Sequence, residues 1–300
     1  MKRFFSRYGW KILREAFLLI NAFLMLFPLL FMLLSATKTD AEFMSSPFAL
    51  PQNFPGALIE NFMAVWTGSL NFPDGIGGSF PVQVFTPFLT MFWNTLVLTV
   101  LSLVVMIFVG LMFGYAIGTK KFRGKGALII FLLIVQSVPF FGYIMPLYTV
   151  SNWFGLVNRL LGVVPVYVAV SLPMTIILFQ GFFGSFPKEI EEAAMIDGCS
   201  EIQKFFSIVI PLSVSSIVSL GVINFMGFWN EYAIANLLIG QEFDLRTINV
   251  GIMMASNSVG VSYYYYMFML LTLSAIPNFI FFTVFQKRIL TGVAMGGIKG

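Results

Sequence analysis

The sequence predicts an all-α integral membrane protein with six transmembrane helices. Of its 300 residues, 58% are hydrophobic and 10% are charged, whereas soluble domains carry charge on about a quarter of their residues. Several apolar stretches reach the roughly 20 residues that a helix needs to cross a bilayer. The alternating polar and apolar runs of a β-barrel are not found in the sequence.

The apolar stretches define six candidate spans. These cover residues 16–36, 90–118, 127–149, 163–183, 208–238 and 266–286. The first is longer than the roughly 7–15 residues of a signal-peptide core, so we predict a permanent anchor. We expect kinks in the third and fourth spans at Pro139, Pro146, Pro165 and Pro173.

The basic residues predict the orientation. Six spans place the N-terminus (1–15), residues 119–126 and 184–207, and the C-terminal tail (287–300) on one side of the membrane. These segments hold fourteen of the seventeen Lys and Arg residues. The opposite side holds the other three, Lys38, Arg159 and Arg246. The positive-inside rule therefore predicts cytoplasmic termini in a bacterial plasma (inner) membrane.

The composition also excludes several classes of function. The chain has no histidine and one cysteine, Cys199, which rules out histidine ligands, histidine bases and an internal disulfide framework. We find no catalytic constellation for a membrane-embedded enzyme, and we predict that the chain is not an enzyme. The net charge of +4 is accounted for by topology, so no nucleic-acid partner is expected.

The segment 184–211 is unusually polar for this chain. Pro187 suits the first turn of a helix, and Glu189, Glu191 and Glu192 favour the positive end of its dipole. Gly198 then predicts a left-handed cap. A surface hairpin that merely connects two spans would account for these features, but a rigid, capped protrusion also suits a handle for a cytoplasmic partner. Ala193 and Ala194 would leave a shallow strip there for a close approach.

A second helix is predicted to start directly after Gly198 and to run into the fifth span. Ser200 and Gln203 have the spacing of a capping box. One apolar face follows from the spacing i, i+3, i+4 and i+7; its members are Ile202, Phe205, Phe206 and Val209.

This loop resembles the EAA motif of ABC importer permeases. In that motif E-A-A is followed by three residues, a glycine, nine residues and I-x-L-P; here the string is EAAMIDG, then residues 199–207, then IVIP, with Ile210 in place of leucine. The chain resembles more specifically the carbohydrate-uptake class, the MalG-like permeases of maltose-type importers. The strings that carry this resemblance are PKEIEEAAMIDG, NTLVLT, YAIGTKKFRGK, FWNEY and KRILTGVAMGGIKG. We refer to residues 184–207 as the EAA loop.

The resemblance implies a fold, a mechanism and partners. The fold would be that of an ABC type I importer permease, with the EAA loop as the coupling helix that docks on a cytoplasmic ATPase dimer. The docking residues would be Glu192, Ala193, Ala194, Asp197 and Gly198, and the tail residues Gly296, Gly297 and Lys299 would reach toward the ATPase. A second permease, an extracytoplasmic solute-binding protein and membrane lipid would be the other partners.

The chain itself carries no nucleotide-binding loop. Its nearest match to a Walker A motif is GTKKFRGKG, where the glycine spacing is one residue too long and Gly126 replaces Ser or Thr. We therefore expect no cofactor in this chain, with ATP and Mg²⁺ bound by the partner ATPase.

Polar residues inside spans are candidates for a translocation pathway, because exposing them to lipid is costly. These candidates are Asn94, Gln136, Asn224, Asn230 and Glu231. Tyr263–Tyr266 could stack on sugars, but we predict that they lie at the membrane interface. The first external loop (37–89) could meet an external partner or merely connect two spans.

Two function classes stay open. The first is a permease subunit of an ATP-driven importer of a sugar or oligosaccharide; within it, a non-sugar polyol, phosphorylated polyol or acidic oligosaccharide is the alternative substrate. The second is an ion-coupled secondary transporter, for which Glu231 would be the one available intramembrane acid. The second class leaves the EAA loop unexplained.

Overall fold

The computed structural model describes residues 2–70, 82, 83, 85–186, 189, 192, 194, 196–256 and 263–297. This part of the chain is predominantly helical, as predicted. A two-residue antiparallel ladder pairs β1 (Ser69–Leu70) with β2 (Val82–Gln83). The helices are α1 (Lys2–Ser35), α2 (Asp40–Ser45), α3 (Gly56–Thr67), α4 (Phe88–Thr119), α5 (Lys125–Ser137), α6 (Phe140–Trp153), α7 (Val163–Gly184), α8 (Glu201–Leu212), α9 (Val214–Trp229), α10 (Ala233–Ile239), α11 (Ile248–Ser256) and α12 (Tyr264–Gly297).

Four helical segments among the described residues are long and apolar enough to cross a membrane by themselves. They are Trp10–Ser35, Phe88–Thr119, Leu160–Gly184 and Tyr264–Gln286. Two bent helix pairs, α5 with α6 and α8 with α9, raise the number to six if each pair forms one span. The predicted spans therefore correspond to four single helices and two broken ones.

The predicted third span is broken rather than kinked. Helices α5 and α6 meet at an angle of 101°. Val138 is extended (φ −74°, ψ 124°), because the ring of Pro139 disfavours helical dihedral angles in the residue before it. Pro146 and Pro173, in contrast, lie inside α6 and α7.

The predicted fifth span also differs from the structure. Its helix begins at Glu201, bends by 72° between α8 and α9, and ends at Trp229 instead of residue 238. Pro211 lies just before the bend, where it removes a backbone donor, and the Ser213 hydroxyl donates to the Val209 carbonyl (2.6 Å). Residues Ala233–Ile239 form the separate short helix α10.

The chain divides into two compact units. The first unit comprises residues 1–88 and 251–275, and the second comprises residues 89–250 and 276–300.

Side chains that donate to backbone carbonyls hold the first unit together. The buried Lys38 ammonium donates to the carbonyls of Ser46 (3.0 Å) and Pro47 (2.7 Å), and its burial lowers the pKa of Lys38 from the ordinary value. The buried Asn61 amide donates to the carbonyls of Ala36 (2.9 Å) and Lys38 (2.8 Å). The start of the loop after α1 therefore has a defined conformation, and an external partner for this loop stays a prediction.

Part of the aromatic run Tyr263–Tyr266 packs inside the first unit. Tyr264 stacks on Phe43 with 4.7 Å between ring centroids, and Tyr266 stacks on Phe85 at 4.3 Å. Tyr266 is fully buried, so its ring packs against protein; the interfacial position of the run stays a prediction.

A glycine stripe brings two helices of the second unit together. Gly110, Gly114 and Gly118 follow one another at intervals of four along α4, and a Cβ added at each would come within 2.4–2.7 Å of side-chain atoms of Thr175, Phe179 and Phe183 on α7. Small residues at this spacing let membrane helices approach closely. The spacing is visible in the sequence.

Candidate functional site

The Gly198 end of the EAA loop has the predicted geometry. Gly198 has φ +74°, and the Cys199 N–H donates to the Ala194 carbonyl (3.0 Å). This bond spans five residues and has a left-handed glycine inside it, as in a Schellman cap. The predicted left-handed cap is confirmed, and it turns the chain directly into α8.

The side chains before the cap differ in their exposure. Glu192 and Asp197 are exposed, as docking residues should be. Ala194, however, is 3% exposed and is buried within this chain, so the predicted open alanine strip is wrong at this position. Ala193 lies outside the described residues. Ile196 is almost fully exposed, and it adds to this surface an apolar side chain that the EAA pattern did not predict.

Helix α8 starts at the predicted N-cap. The Gln203 N–H donates to the Ser200 hydroxyl (3.2 Å), which satisfies one of the free donors at the helix start. The four residues of the predicted apolar face differ in burial, because Phe205 and Val209 are buried whereas Ile202 and Phe206 are exposed. Residues Phe205–Val209 form a π-helical turn, which changes the angular spacing of side chains along the helix.

The buried side of α8 is anchored in the core of the second unit. Phe205 and Val209 belong to a cluster of buried residues on α4, α7 and α9. The other members are Leu111, Tyr115, Phe179, Phe183 and Leu220. Movement of α8 would therefore disturb the contact between α4 and α7.

A charged contact ties the start of α8 to the segment after α4. The Lys120 ammonium lies 2.9 Å from Glu201 Oε2, and the Lys204 ammonium lies 3.0 Å from Glu201 Oε1. The Lys204 side chain is 2% exposed, but Glu201 is 59% exposed. The sequence hides this arrangement, because Lys120 and Glu201 are 81 positions apart.

Glu231 binds donors of its own chain. Its Oε2 accepts from the Tyr167 hydroxyl (2.6 Å) and from the Ala235 N–H (3.1 Å), and its Oε1 accepts from the Ile234 N–H (2.7 Å). The carboxylate thus satisfies free N–H groups in the first turn of α10. These bonds indicate a structural role, and they do not favour Glu231 as an ion-coupling acid.

Asn94 also supports a turn of the second unit. Its amide donates to the carbonyls of Asp244 (2.8 Å) and Arg246 (3.0 Å). The next residue, Thr95, accepts from the Ile248 N–H at the start of α11 (3.0 Å). The NTLVLT string therefore holds the segment that precedes α11.

The other pathway candidates do not converge on one described site. Gln136 is exposed near the end of α5. The Asn224 amide donates to the Leu220 carbonyl of its own helix (2.9 Å). The Asn230 amide donates to Met226 O (2.8 Å), and its oxygen accepts from Asn278 (3.4 Å). A role for these residues in translocation stays a prediction.

The C-terminal tail begins as a continuation of the last span. Helix α12 runs past residue 286 and includes Gly296 and Gly297, whereas Lys299 lies outside the described residues. Among the residues that the structure describes, no group of three or more His, Cys, Asp or Glu side chains could hold a metal ion.

Comparison with known proteins identifies the family. Residues 110–250 match the family described as "Binding-protein-dependent transport system inner membrane component". The chain is also 30% identical to the probable ABC transporter permease protein YurM of Bacillus subtilis, over 95% of this chain and 87% of YurM. The chain belongs to the ABC transporter permease family. This ABC permease is therefore a multi-pass membrane component of a transport system, and the recognition from the EAA loop is confirmed.

Two further similarities refine this assignment. The permease is 28% identical to the trehalose/maltose transport system permease protein MalG of Thermococcus litoralis, over 97% of this chain and 99% of MalG. It also superimposes, with a TM-score of 0.75 and 20% identity, on a chain in the crystal structure of a bacterial ABC transporter involved in the import of the acidic polysaccharide alginate. That match covers 94% of this chain and 97% of the other, and it confirms the predicted importer permease fold.

Proposed function

We propose that this permease forms half of the translocation pathway of an ATP-driven importer of a sugar or oligosaccharide. The observation that carries the proposal is the glycine-capped EAA loop, whose exposed charged end continues directly into a helix anchored between α4 and α7. A segment of this kind can receive a movement at its exposed end and transmit it to the spans.

The exposed end of the EAA loop docks on a separate ATPase dimer in this proposal. Glu192, Asp197 and Ile196 offer an acidic and apolar surface, and Gly198 sets the direction of α8. The burial of Ala194 gives this alanine a packing role instead of a contact with the ATPase. ATP and Mg²⁺ bind to the ATPase, which the tail residues Gly296, Gly297 and Lys299 approach from the C-terminal end of α12.

In this proposal, the core contacts of α8 transmit the movement of the EAA loop to the membrane spans. Phe205 and Val209 touch the buried faces of α4 and α7, and Glu201 links α8 to Lys120 after α4. Because packed interiors are dense and rearrange as units, displacement of α8 would change the packing of two spans together.

The proposed substrate class rests on the relatives. The similarity to MalG, a trehalose/maltose permease, extends over nearly the whole chain. The family description includes dependence on a binding protein, so a solute-binding protein delivers the sugar in this proposal and a second, related permease completes the pathway. The basic residues near the termini and in the EAA loop support a cytoplasmic position for these segments in this proposal.

The first experiment is an affinity purification of the tagged permease from native membranes in mild detergent, followed by mass spectrometry. We expect an ATPase and a second permease to co-purify with the wild-type chain. Glu192→Lys should lose the ATPase while it retains the second permease. The matched control is Glu242→Lys, since Glu242 is also exposed but lies outside the EAA loop.

Two outcomes would contradict the proposal. Recovery of the permease without an ATPase across several detergents would argue against an ATP-driven importer. Equal recovery of the ATPase with Glu192→Lys and with Glu242→Lys would remove Glu192 from the docking site. Uptake of radiolabelled maltose or trehalose by whole cells, with and without the gene, then tests the substrate class.

A further inference from the structure

Helix α3 of the first unit has an exposed apolar stripe. Ile59, Phe62, Met63 and Trp66 recur at i, i+3, i+4 and i+7, and they are 60%, 36%, 49% and 37% exposed. Side chains at this spacing share one face of a helix. The rings of Phe62 and Trp66 stack with 5.5 Å between their centroids. A contiguous apolar surface of this kind usually binds another surface or lipid.

The opposite face of α3 is attached to the end of a membrane span. Ala57, Asn61 and Val65 are buried. The Asn61 amide donates to the carbonyls of Ala36 and Lys38, which directly follow the end of α1 at Ser35. These bonds hold α3 beside the point where the first span ends, with its apolar stripe turned away from the attached face.

A second span begins at the same segment. The Asp40 carboxylate accepts from the Tyr265 N–H (3.1 Å), at the start of α12. Because a carboxylate placed here joins the end of α1 to the beginning of α12, two membrane spans terminate at the level of residues 35–40. The ends of two candidate spans therefore lie beside the segment to which α3 is attached.

The apolar surface continues from the first span into this loop. Phe31 of α1 contacts Phe48, with 5.3 Å between ring centroids, and the Phe48 and Leu50 side chains are largely exposed. The exposed apolar surface of the first span therefore continues onto the loop at Phe48. At the end of the stripe, the Trp66 ring lies 6.0 Å from the ring of Phe88, the first residue of α4. The stripe therefore adjoins the start of a further span, which favours lipid, instead of another protein, as its occupant.

We propose that α3 is an interfacial helix whose stripe of Ile59, Phe62, Met63 and Trp66 inserts into the headgroup and upper acyl region of the bilayer. Tryptophan is typical of this region, and one-sided apolar helices bind there in the plane of the membrane. Glu60 lies at the polar edge of the helix, exposed, and remains in water. Helix α3 would thus fix the depth of the loop between the first two spans.

Spin-label accessibility tests this position in the intact transporter complex, reconstituted in vesicles of phosphatidylethanolamine and phosphatidylglycerol. In a Cys199→Ser background, the label is attached to Ile59→Cys or Met63→Cys on the stripe, or to Glu60→Cys as the control. We expect the two stripe labels to collide with oxygen more than with a water-soluble nickel chelate, and the Glu60 label to show the reverse.

Two results would overturn the proposal. If the stripe labels collide mainly with the nickel chelate, the stripe faces water. If they are shielded from both reagents, another protein surface covers it. A second measurement needs no cysteine. Brominated lipids should quench more tryptophan fluorescence in the wild-type chain than in Trp66→Phe. Equal quenching of the two would also contradict lipid contact.

Discussion

The two units of this permease are stabilised in different ways. In the second unit, Gly110, Gly114 and Gly118 let α4 approach α7 so closely that a methyl group would not fit. In the first unit, Lys38 and Asn61 are buried and donate to backbone carbonyls. The family match at residues 110–250 falls within the second unit. The residues that match the family therefore lie in the unit that contains both the close packing of α4 against α7 and the EAA loop.

Gly114→Val would break the steric fit and should have the largest effect. A Cβ at this position would lie 2.4 Å from the Phe179 Cβ, so that α4 and α7 must separate. Overpacking of this kind lowers the free energy of unfolding by about 1–3 kcal/mol and occasionally by more. We expect a clearly lower unfolding temperature in detergent, measured by size-exclusion chromatography of heated samples.

The matched control for this variant is Gly227→Val. Gly227 lies within α9, and a Cβ added there meets no atom within 4 Å. If Gly114→Val and Gly227→Val unfold at the same temperature, close packing of α4 and α7 does not stabilise the second unit.

Asn61→Ala tests the hydrogen bonds of the first unit. It removes two donated bonds and leaves the carbonyls of Ala36 and Lys38, both buried residues, without this partner. We expect the free energy of unfolding to fall by about 2 kcal/mol, measured by denaturant titration in detergent. Asn53→Ala, at an exposed position of the same unit, is the control. Equal stability of the two variants would contradict the structural role of Asn61.

Glu201→Gln separates charge from packing in the second unit. The variant leaves the buried Lys204 ammonium without its carboxylate. We therefore expect the free energy of unfolding to fall by about 1–3 kcal/mol. Glu201→Gln combined with Lys204→Met should recover much of that loss, because no unpaired charge remains buried. Thermal unfolding of both variants provides the measurement. Failure of the double variant to recover stability would contradict this explanation.

Ser200→Ala should have the smallest of these effects. It removes the side chain that caps α8, and N-cap serines contribute typically about 1 kcal/mol. Ser207→Ala, at an exposed position of the same helix, should leave the unfolding temperature nearly unchanged. If the unfolding temperatures of Ser200→Ala and Ser207→Ala differ by less than the measurement error, the Ser200 side chain does not cap the start of α8.

Local sequence patterns predicted the features of the EAA loop that depend on neighbouring residues. The left-handed Gly198 and the Ser200 cap involve contacts within five positions of the chain, so the residue types and their spacing are sufficient to predict them. The division of the third span was only partly predictable. Pro139 indicates a disturbance of the helix, but the 101° angle depends on what α5 and α6 pack against.

The sequence by itself determined the class of the protein, the approximate spans, the EAA loop and its caps, because hydropathy and short-range backbone hydrogen bonds specify them. Only the tertiary structure decided which side chains of that loop are buried. Ala194 and Lys204 are buried, whereas Ile202 and Phe206 are exposed, against the simple helical pattern. The physical reason is that burial depends on partners far away in the chain, such as Tyr115 and Phe179 packed around Phe205, and on a π-helical turn that shifts the side chains of α8 toward them.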